Sequence, residues 1–256
     1  MIRDKLLKMD AAANKGFRLR GVGEIGRIEA FSDAVLAFAV TLLIVSLEVP
    51  KTFTELMEMM RGFIAFAITF AMLFHVWFEQ YKFFRRYGLQ DNFTVWINGL
   101  LLFVVLFYVY PLKFVWNLAF SSFTGHGTIR GANGEVEPII TNEQVPAVMI
   151  IFGIGFTAVF LIFVLLYFHA YRKRSALELN ELEIYDTRTQ MQDYSLNVAI
   201  GVLSIAVALF GGRKFIPLSM LAYWLIGPVQ TVHGIIMGRR RRRLEKTSEE
   251  GSPEAA

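Results

Sequence analysis

Residues 27–50 read RIEAFSDAVLAFAVTLLIVSLEVP. The apolar run that begins at Ala34 is long enough, with its flanks, to cross the hydrocarbon core of a bilayer. A carboxylate in such a helix is costly unless it meets a partner or a water-filled path, so Asp33 is a candidate functional residue. The alternative is an acid at the membrane interface, neutralised by lipid or by Arg27.

The composition of the whole chain indicates a membrane protein. It has 256 residues, of which 55% are hydrophobic and 19% are charged, and a mean hydropathy of +0.46. A chain of this composition is more apolar than an ordinary soluble domain. The absence of cysteine excludes disulfides, thiolate metal sites and thiol catalysis. The net charge of +4 is concentrated in short basic segments between apolar runs, which favours a polytopic membrane protein over a nucleic-acid binder.

Six apolar runs predict an all-α polytopic membrane protein with six transmembrane helices. Gly227 and Pro228 should bend the last span. The charged residues 175–193 have helical spacing and are expected to extend the fourth helix. Residues 116–146, rich in glycine and proline, predict an irregular loop. The spans are expected at about 27–49, 62–82, 93–114, 147–171, 194–210 and 215–237.

The segments that flank this membrane domain (27–238) are basic. Residues 1–26 form a basic arm, and residues 239–256 are expected to be a basic and then disordered tail. Most basic residues at span ends fall on one side, so the positive-inside rule places both termini in the cytoplasm. The run Arg239–Arg243 follows the last span directly and is expected to contact anionic lipid.

Polar side chains on the first three predicted spans share one depth. Asp33, His75 and Asn98 each lie six or seven residues from a flanking charge, roughly 10 Å into the membrane at 1.5 Å per residue. Because unpaired polar groups in hydrocarbon are costly, we expect them to bond to one another. The predicted network comprises Ser32, Asp33, His75 and Asn98, with Trp77 and Trp96 as indole donors and His233 as a further member.

The histidines leave other interpretations open. A titrating His75 would make the protein pH-sensitive, and His75, His169 and His233 are also candidate ligands for a haem between helices. A structural histidine that only donates and accepts hydrogen bonds is the simplest interpretation. No acid and base pair, activated serine or phosphate-binding glycine loop is present, so we do not expect an enzyme.

The first helix has two faces. At 100° per residue, Asp33 lies about 140° around the helix from Phe38, so the two side chains meet different surroundings. The stripe that includes Phe38 is typical of ordinary helix packing when the pattern is taken alone. Its members lie within about 40 to 60° of one line: Ala34, Phe38, Thr41, Leu42 and Val45.

The motif resembles a known family. In this sequence Arg27 is followed four residues later by Phe31, Ser32 and Asp33, and then by an apolar helix with Thr41 in register. This pattern is similar to the first-helix signature of the FSD-motif potassium channels. These are the transmembrane protein 175 type and its prokaryotic relatives. Because the chain carries a single FSD string, the resemblance implies a homotetramer, in a prokaryotic plasma membrane.

The resemblance also implies a mechanism. In that family the first helices surround the pore, and a large apolar residue five positions after the motif aspartate forms the constriction. This position is Phe38 here, where known members carry Ile or Leu, and Thr41 matches the family's hydroxyl layer. A ring of apolar side chains offers no oxygen ligands to an ion. The expected protein is therefore a cation leak channel with a modest preference for K⁺, the permeant ion, and without a cofactor.

Two other functions remain open at this point. One is a proton-conducting channel or transporter that uses Asp33 and His75 as a relay, which would show flux that titrates and saturates. The other is a membrane scaffold that transports nothing.

Overall fold

The structure, a computed structural model, describes residues 17–21, 26–45, 50–124, 128–130, 136–141, 143–211 and 216–250. It is all-helical apart from an antiparallel ribbon of two short strands, β1 (Thr128–Arg130) and β2 (Val136–Pro138). A 3-10 turn, Ala222–Leu225, joins the last two helices. The helices are α1 (Arg27–Val45), α2 (Phe53–Arg61), α3 (Phe63–Tyr87), α4 (Asn92–Thr124), α5 (Val145–Arg172), α6 (Glu181–Phe210), α7 (Ile216–Leu221) and α8 (Ile226–Glu250).

Five helical segments of the described chain are long and apolar enough to cross a membrane. The predicted all-helical membrane architecture is therefore confirmed. The described part of α1 has 19 residues and is not among the five, so a sixth span at this helix stays a prediction. Residues 46–49, the end of that predicted span, lie outside the described residues. The five segments are Phe63–Tyr87, Asn92–Ser121, Val145–Arg172, Glu181–Phe210 and Leu218–Thr247.

The charged segment 175–193 does not extend the fourth predicted span, as the sequence analysis had expected. Helix α5 ends at Arg172, and α6 begins at Glu181. Asn180 Oδ1 accepts from the backbone N–H of Glu183 at 2.8 Å, and Glu183 Oε2 accepts from the Asn180 N–H at 3.1 Å. This reciprocal capping box satisfies two N–H groups and starts a new helix there. Residues 181–193 therefore belong to the helix of the fifth predicted span, and residues 175–180 lie in the connection before it.

Three other boundaries differ from the sequence predictions. Helix α4 continues to Thr124, into the region predicted as an irregular loop, and the ribbon forms part of the remainder. The last span is interrupted by the 3-10 turn that ends at Leu225, just before Gly227 and Pro228. Helix α8 continues to Glu250, where a disordered tail was predicted; residues 251–256 lie outside the described residues.

Small residues allow α4, α5 and α6 to approach closely. A Cβ atom at Gly155 of α5 would collide with the ring of Tyr108 on α4, and one at Gly201 of α6 would collide with the hydroxyl of Thr157 on α5. Without a hydrophobic driving force between helices in lipid, such close packing supplies much of the association energy. The glycines therefore set the spacing of the helices that support the rest of the bundle.

Residues 17–21, which we call the strap, cross the C-terminal end of α3. The backbone N–H of Arg20 donates to Arg86 O at 3.4 Å, and that of Gly21 donates to Arg85 O at 3.1 Å. The last carbonyls of a helix have no partner within the helix, so the strap supplies donors to two of them. In the predicted basic arm, the described residues 17–21 are therefore bound to the end of α3.

Two glycines make room for the strap. Gly88 ends α3 in the left-handed conformation, with φ at 60°, and its N–H donates to Phe84 O at 2.8 Å. A side chain at Gly88 would crowd the backbone of Arg20, and a side chain at Gly21 would collide with Phe84 O. The close approach of the two backbones therefore requires glycine on both sides.

A buried ion pair fastens the strap to α6. Glu183 is 2% exposed, and its carboxylate accepts two hydrogen bonds from the Arg20 guanidinium, at 2.7 and 3.1 Å. The same guanidinium donates to the carbonyl oxygens of Leu177 at 2.6 Å and Glu178 at 3.0 Å. Phe17 adds an apolar anchor, since its ring meets Tyr87 edge-on at 5.6 Å. The strap therefore joins α3 to the start of α6.

Removing one partner of this pair should destabilise the fold, because the other charge would stay buried without compensation. We expect Arg20→Ala to lower the free energy of unfolding by about 3 kcal/mol, measured by thermal unfolding of the purified protein in detergent. Arg18→Ala is the matched control, because Arg18 and its partner Glu178 are 70% and 78% exposed. Equal stability of the two variants would mean that the Arg20–Glu183 pair contributes nothing to the fold.

Candidate functional site

One face of α1 is buried in its own subunit. Ser32, Leu36, Ala39 and Leu43 follow one another at helical spacing and are 0 to 5% exposed. This line packs against α3 and α4. Because each of these side chains is small or aliphatic, the helix lies close to both neighbours.

The opposite face of α1 points away from the subunit. Phe38 is 56% exposed and Phe31 is 62% exposed, and Ala34 and Thr41 are also exposed. The Thr41 hydroxyl donates to Ala37 O at 3.0 Å. This face contains the stripe that the sequence analysis defined; its member Leu42 is half-buried, and nothing is described of the Val45 side chain.

A string of hydrogen bonds fixes the buried face. Asn98 Nδ2 on α4 donates to Ser32 Oγ at 2.8 Å, and the Ser32 hydroxyl donates to Ile28 O at 2.7 Å. Gln80 Nε2 on α3 donates to Asn98 Oδ1. Asn98 is 1% exposed and Gln80 is 2% exposed, so the string lies in the interior. It links the first three long helices.

Asp33 has a partner of its own. Trp77 Nε1 on α3 donates to Asp33 Oδ1 at 2.7 Å. The Asp33 side chain is otherwise exposed, and Arg27, which lies six residues earlier on the helix, is exposed as well. The motif acid thus bonds to α3, while the motif serine bonds to α4.

Three residues predicted for the network lie elsewhere. His75 has a side chain that is 57% exposed, and its Nε2 lies 3.9 Å from Glu79 Oε1. Trp96 is 79% exposed, because Asn98 rather than Trp96 occupies the inner face of α4. His233 contacts Asp193 of α6, with its Nδ1 2.5 Å from Oδ1. Equal depth along the helices did not establish which way each side chain points.

Sequence reasoning missed two polar residues. Gln80 belongs to the string just described, and Glu79 is 5% exposed. Glu79 accepts hydrogen bonds from Lys82 at 2.7 Å and from the Tyr194 hydroxyl at 2.5 Å. Both residues lie just before Lys82 in the predicted second span, and this polar pair inside an apolar run was the available signal.

The histidines do not converge on a metal site. His75, His169 and His233 have different acidic neighbours, which are Glu79, Asp91 and Asp193. The part of the chain that the structure describes contains no group of three or more His, Cys, Asp or Glu residues able to hold a metal ion. The arrangement gives no support to a haem between these helices.

Asp91 connects the start of α4 to the end of α5. Its Oδ2 accepts from Lys173 Nζ at 2.6 Å and lies 2.9 Å from His169 Nε2, and its Oδ1 accepts from the Thr94 N–H at 2.9 Å. Burial acts to raise the pKa of Asp91, but the hydrogen bonds from Lys173 and His169 outweigh it, so the pKa lies below its ordinary value.

These features define an integral membrane protein of helical type, in which α1 is fixed by polar contacts on one face and turned away from its subunit on the other. The model of a family described as endosomal/lysosomal potassium channel TMEM175 matches residues 27–108. That section contains the FSD string, α3 and the first half of α4.

Individual proteins extend the match to nearly the whole chain. A protein of Marivirga tractuosa named potassium channel is 37% identical over 243 residues, which are 94% of this chain and 98% of that protein. A potassium channel of Chamaesiphon minutus is 34% identical over 96 residues, 34% of this chain and 47% of its own length. The chain belongs to the TMEM175 potassium channel family, which confirms the family predicted from residues 27–33.

A solved structure supports the fold. An alanine variant of the potassium channel MtTMEM175, crystallised with a nanobody fusion protein, has a TM-score of 0.73 and 37% identity. The similarity covers 87% of this chain and 97% of that one. The helical arrangement described above is therefore similar to that of a channel of the same family.

The interior hydrogen bonds predict a stability difference between two neighbours on α4. Asn98→Ala removes the donor to Ser32 and the acceptor for Gln80, so we expect it to cost about 1 to 3 kcal/mol of stability. Trp96→Phe changes an exposed side chain and should leave stability nearly unchanged. Thermal unfolding in detergent measures both variants. A larger loss for Trp96→Phe than for Asn98→Ala would place the network elsewhere.

Acid should remove the stabilisation that Asp91 provides. Because its folded-state pKa is lower than its unfolded value of about 3.9, the contribution is complete above that value and is lost as the pH falls through the folded pKa. Asp91→Asn should therefore lower the melting temperature near neutral pH and reduce the further loss in acid. Glu178→Gln, which removes a carboxylate with 78% exposure, should keep the acid sensitivity of the original protein.

Proposed function

We propose that this chain forms a potassium-preferring cation leak channel, in which four copies of α1 surround the pore and Phe38 forms the constriction. The observation that carries the proposal is the two-sidedness of α1: the line through Leu36 and Leu43 is buried, whereas Phe38 is 56% exposed. Membership of a potassium channel family supports it. A tetramer places this outward face on a common axis.

The chemistry of the exposed face suits a pore without a carbonyl filter. Rings of Phe38 present no oxygen to replace the hydration shell of an ion, so passage favours the ion that is more easily dehydrated, which is K⁺ rather than Na⁺. Thr41 lies one turn further along the helix. Because its hydrogen is donated to Ala37 O, the oxygen lone pairs remain acceptors for a passing cation. The preference for K⁺ is expected to be modest.

The polar contacts have a structural role in this proposal. The Ser32–Asn98 bond and the Asp33–Trp77 bond hold α1 against two different helices. They fix its rotation, and so the direction in which Phe38 points. The alternative of a proton relay requires Asp33 and His75 to cooperate, but in the described residues they have different neighbours, Trp77 and Glu79.

The basic end of α8 supports the proposed contact with anionic lipid, with both termini in the cytoplasm of a prokaryotic cell. In the run Arg239–Arg243, Arg241 is turned inward, and its guanidinium donates to Asp186 at 2.7 and 3.0 Å. The other four arginines are exposed. The inward arginine therefore orients the helix, and the remaining four are available to lipid phosphates.

Phe38→Ala should widen the constriction and raise K⁺ flux. The measurement is K⁺ and Na⁺ flux into liposomes that contain the purified protein, with particle symmetry determined from the same preparation. Wider pores favour passage of hydrated ions, so the K⁺ preference should fall as flux rises.

Phe103→Ala is the matched control, because Phe103 is 67% exposed on α4 and has no place in the proposed pore. We expect wild-type flux from this variant. If Phe38→Ala and Phe103→Ala behave alike, or if the particles lack fourfold or pseudo-fourfold symmetry, α1 does not line the pore as proposed.

A further inference from the structure

A cavity of about 590 Å³ lies between the first turn of α4 and the last two turns of α5. It is separate from the exposed face of α1 and from the Ser32–Asn98 string. Its lining has two zones of different chemistry: an apolar floor of Phe93, Leu165 and Phe168, and a rim of His169, Arg172 and Lys173.

The rim carries a net positive charge. Arg172 and Lys173 contribute two positive charges against the single negative charge of Asp91. Lys173 and His169 are held by Asp91 at 2.6 and 2.9 Å. Arg172 is exposed, and its guanidinium makes no hydrogen bond or ion pair with another residue in the described part of the chain. One guanidinium therefore remains available to an anion, beside an ammonium group whose position is fixed.

The floor continues the apolar surface of the bundle. Phe93 and Phe168 are 43% and 45% exposed, and the Phe93 ring lies 4.5 Å from the His169 ring, centre to centre. One turn further along α4, Trp96 is 79% exposed. Exposed tryptophan is typical of the level of the lipid headgroups, and Arg172 is the last residue of a segment long enough to cross the membrane.

We propose that this cavity binds an anionic phospholipid, with the headgroup phosphate on Arg172 and Lys173 and the start of the acyl chains on the apolar floor. A free phosphate ion would use only the rim and would make no contact with the apolar floor. The juxtaposition of a cationic rim and an apolar floor at the end of a membrane helix matches a molecule with both parts. Lipid binding at this site does not depend on ion conduction, so it can be tested separately from the proposed channel.

The test is a titration of the delipidated full-length protein with phosphatidylglycerol, followed by native mass spectrometry. A basic residue near the membrane surface contributes about 1 kcal/mol to anionic lipid binding, so Arg172→Gln should weaken binding at one site about fivefold. Arg172→Lys keeps the charge and should restore most of the affinity. Arg174→Gln is the charge-matched control, because Arg174 lies over the Tyr171 ring and does not line the cavity.

A competition arm separates the lipid from its phosphate alone. Glycerol phosphate has the phosphate but no acyl chains, and it should not displace phosphatidylglycerol at equal concentration. Displacement would identify an anion site instead of a lipid site and overturn the proposal. Equal binding by the original protein and Arg172→Gln, or an equal loss in Arg172→Gln and Arg174→Gln, would overturn it as well. Unchanged melting temperatures of the variants without lipid show that folding is not the cause.

Discussion

The orientation of α1 about its own axis is the constraint on which the rest of this structure depends. An apolar helix among apolar helices can rotate at little cost, because aliphatic contacts are not directional. The bond between Asn98 and Ser32, 2.8 Å long and in the interior, restricts that freedom, since any other rotation takes the acceptor away from the buried Asn98 Nδ2 group. Together with the Asp33–Trp77 bond, this contact therefore decides which face of α1 packs inward.

The strap applies the same principle at the end of α3. The backbone carbonyls of Arg85 and Arg86 accept hydrogen bonds from the strap, and the Arg20–Glu183 pair connects it to α6. The backbone contacts supply donors to carbonyls at the end of α3, and the ion pair compensates a buried carboxylate in the first turn of α6. Stability here comes from completing polar groups at helix ends, while the apolar surface packs against neighbouring helices or stays exposed.

The sequence predicted the long helices and the family better than it predicted the directions in which individual side chains point. Apolar run length is set by membrane thickness, so the long helices were predictable, and the FSD string was enough to identify the family. The start of α6 was missed because leucine spacing cannot distinguish the end of one helix from the start of the next, whereas the Asn180 cap does. His75 and Trp96 were assigned to the network from depth alone, but rotation about the helix axis decides contacts, and depth carries no information on it.

The Ser32–Asn98 bond lies close to the proposed constriction at Phe38, and this short distance connects the polar string to the proposed function. Phe38 follows Ser32 by six residues, roughly 9 Å along the helix. Because the helix is continuous over this short distance, a rotation of the helix at Ser32 also turns Phe38. Beyond Phe38 the buried contacts of α1 are aliphatic, at Ala39 and Leu43, and they fix rotation less strictly than a hydrogen bond does. A constriction made of side chains without ligands depends on their position alone, and that position is best defined close to the hydrogen-bonded end. The proposed role of Phe38 therefore gives a mechanical reason for the FSD string to lie on the same stretch of helix.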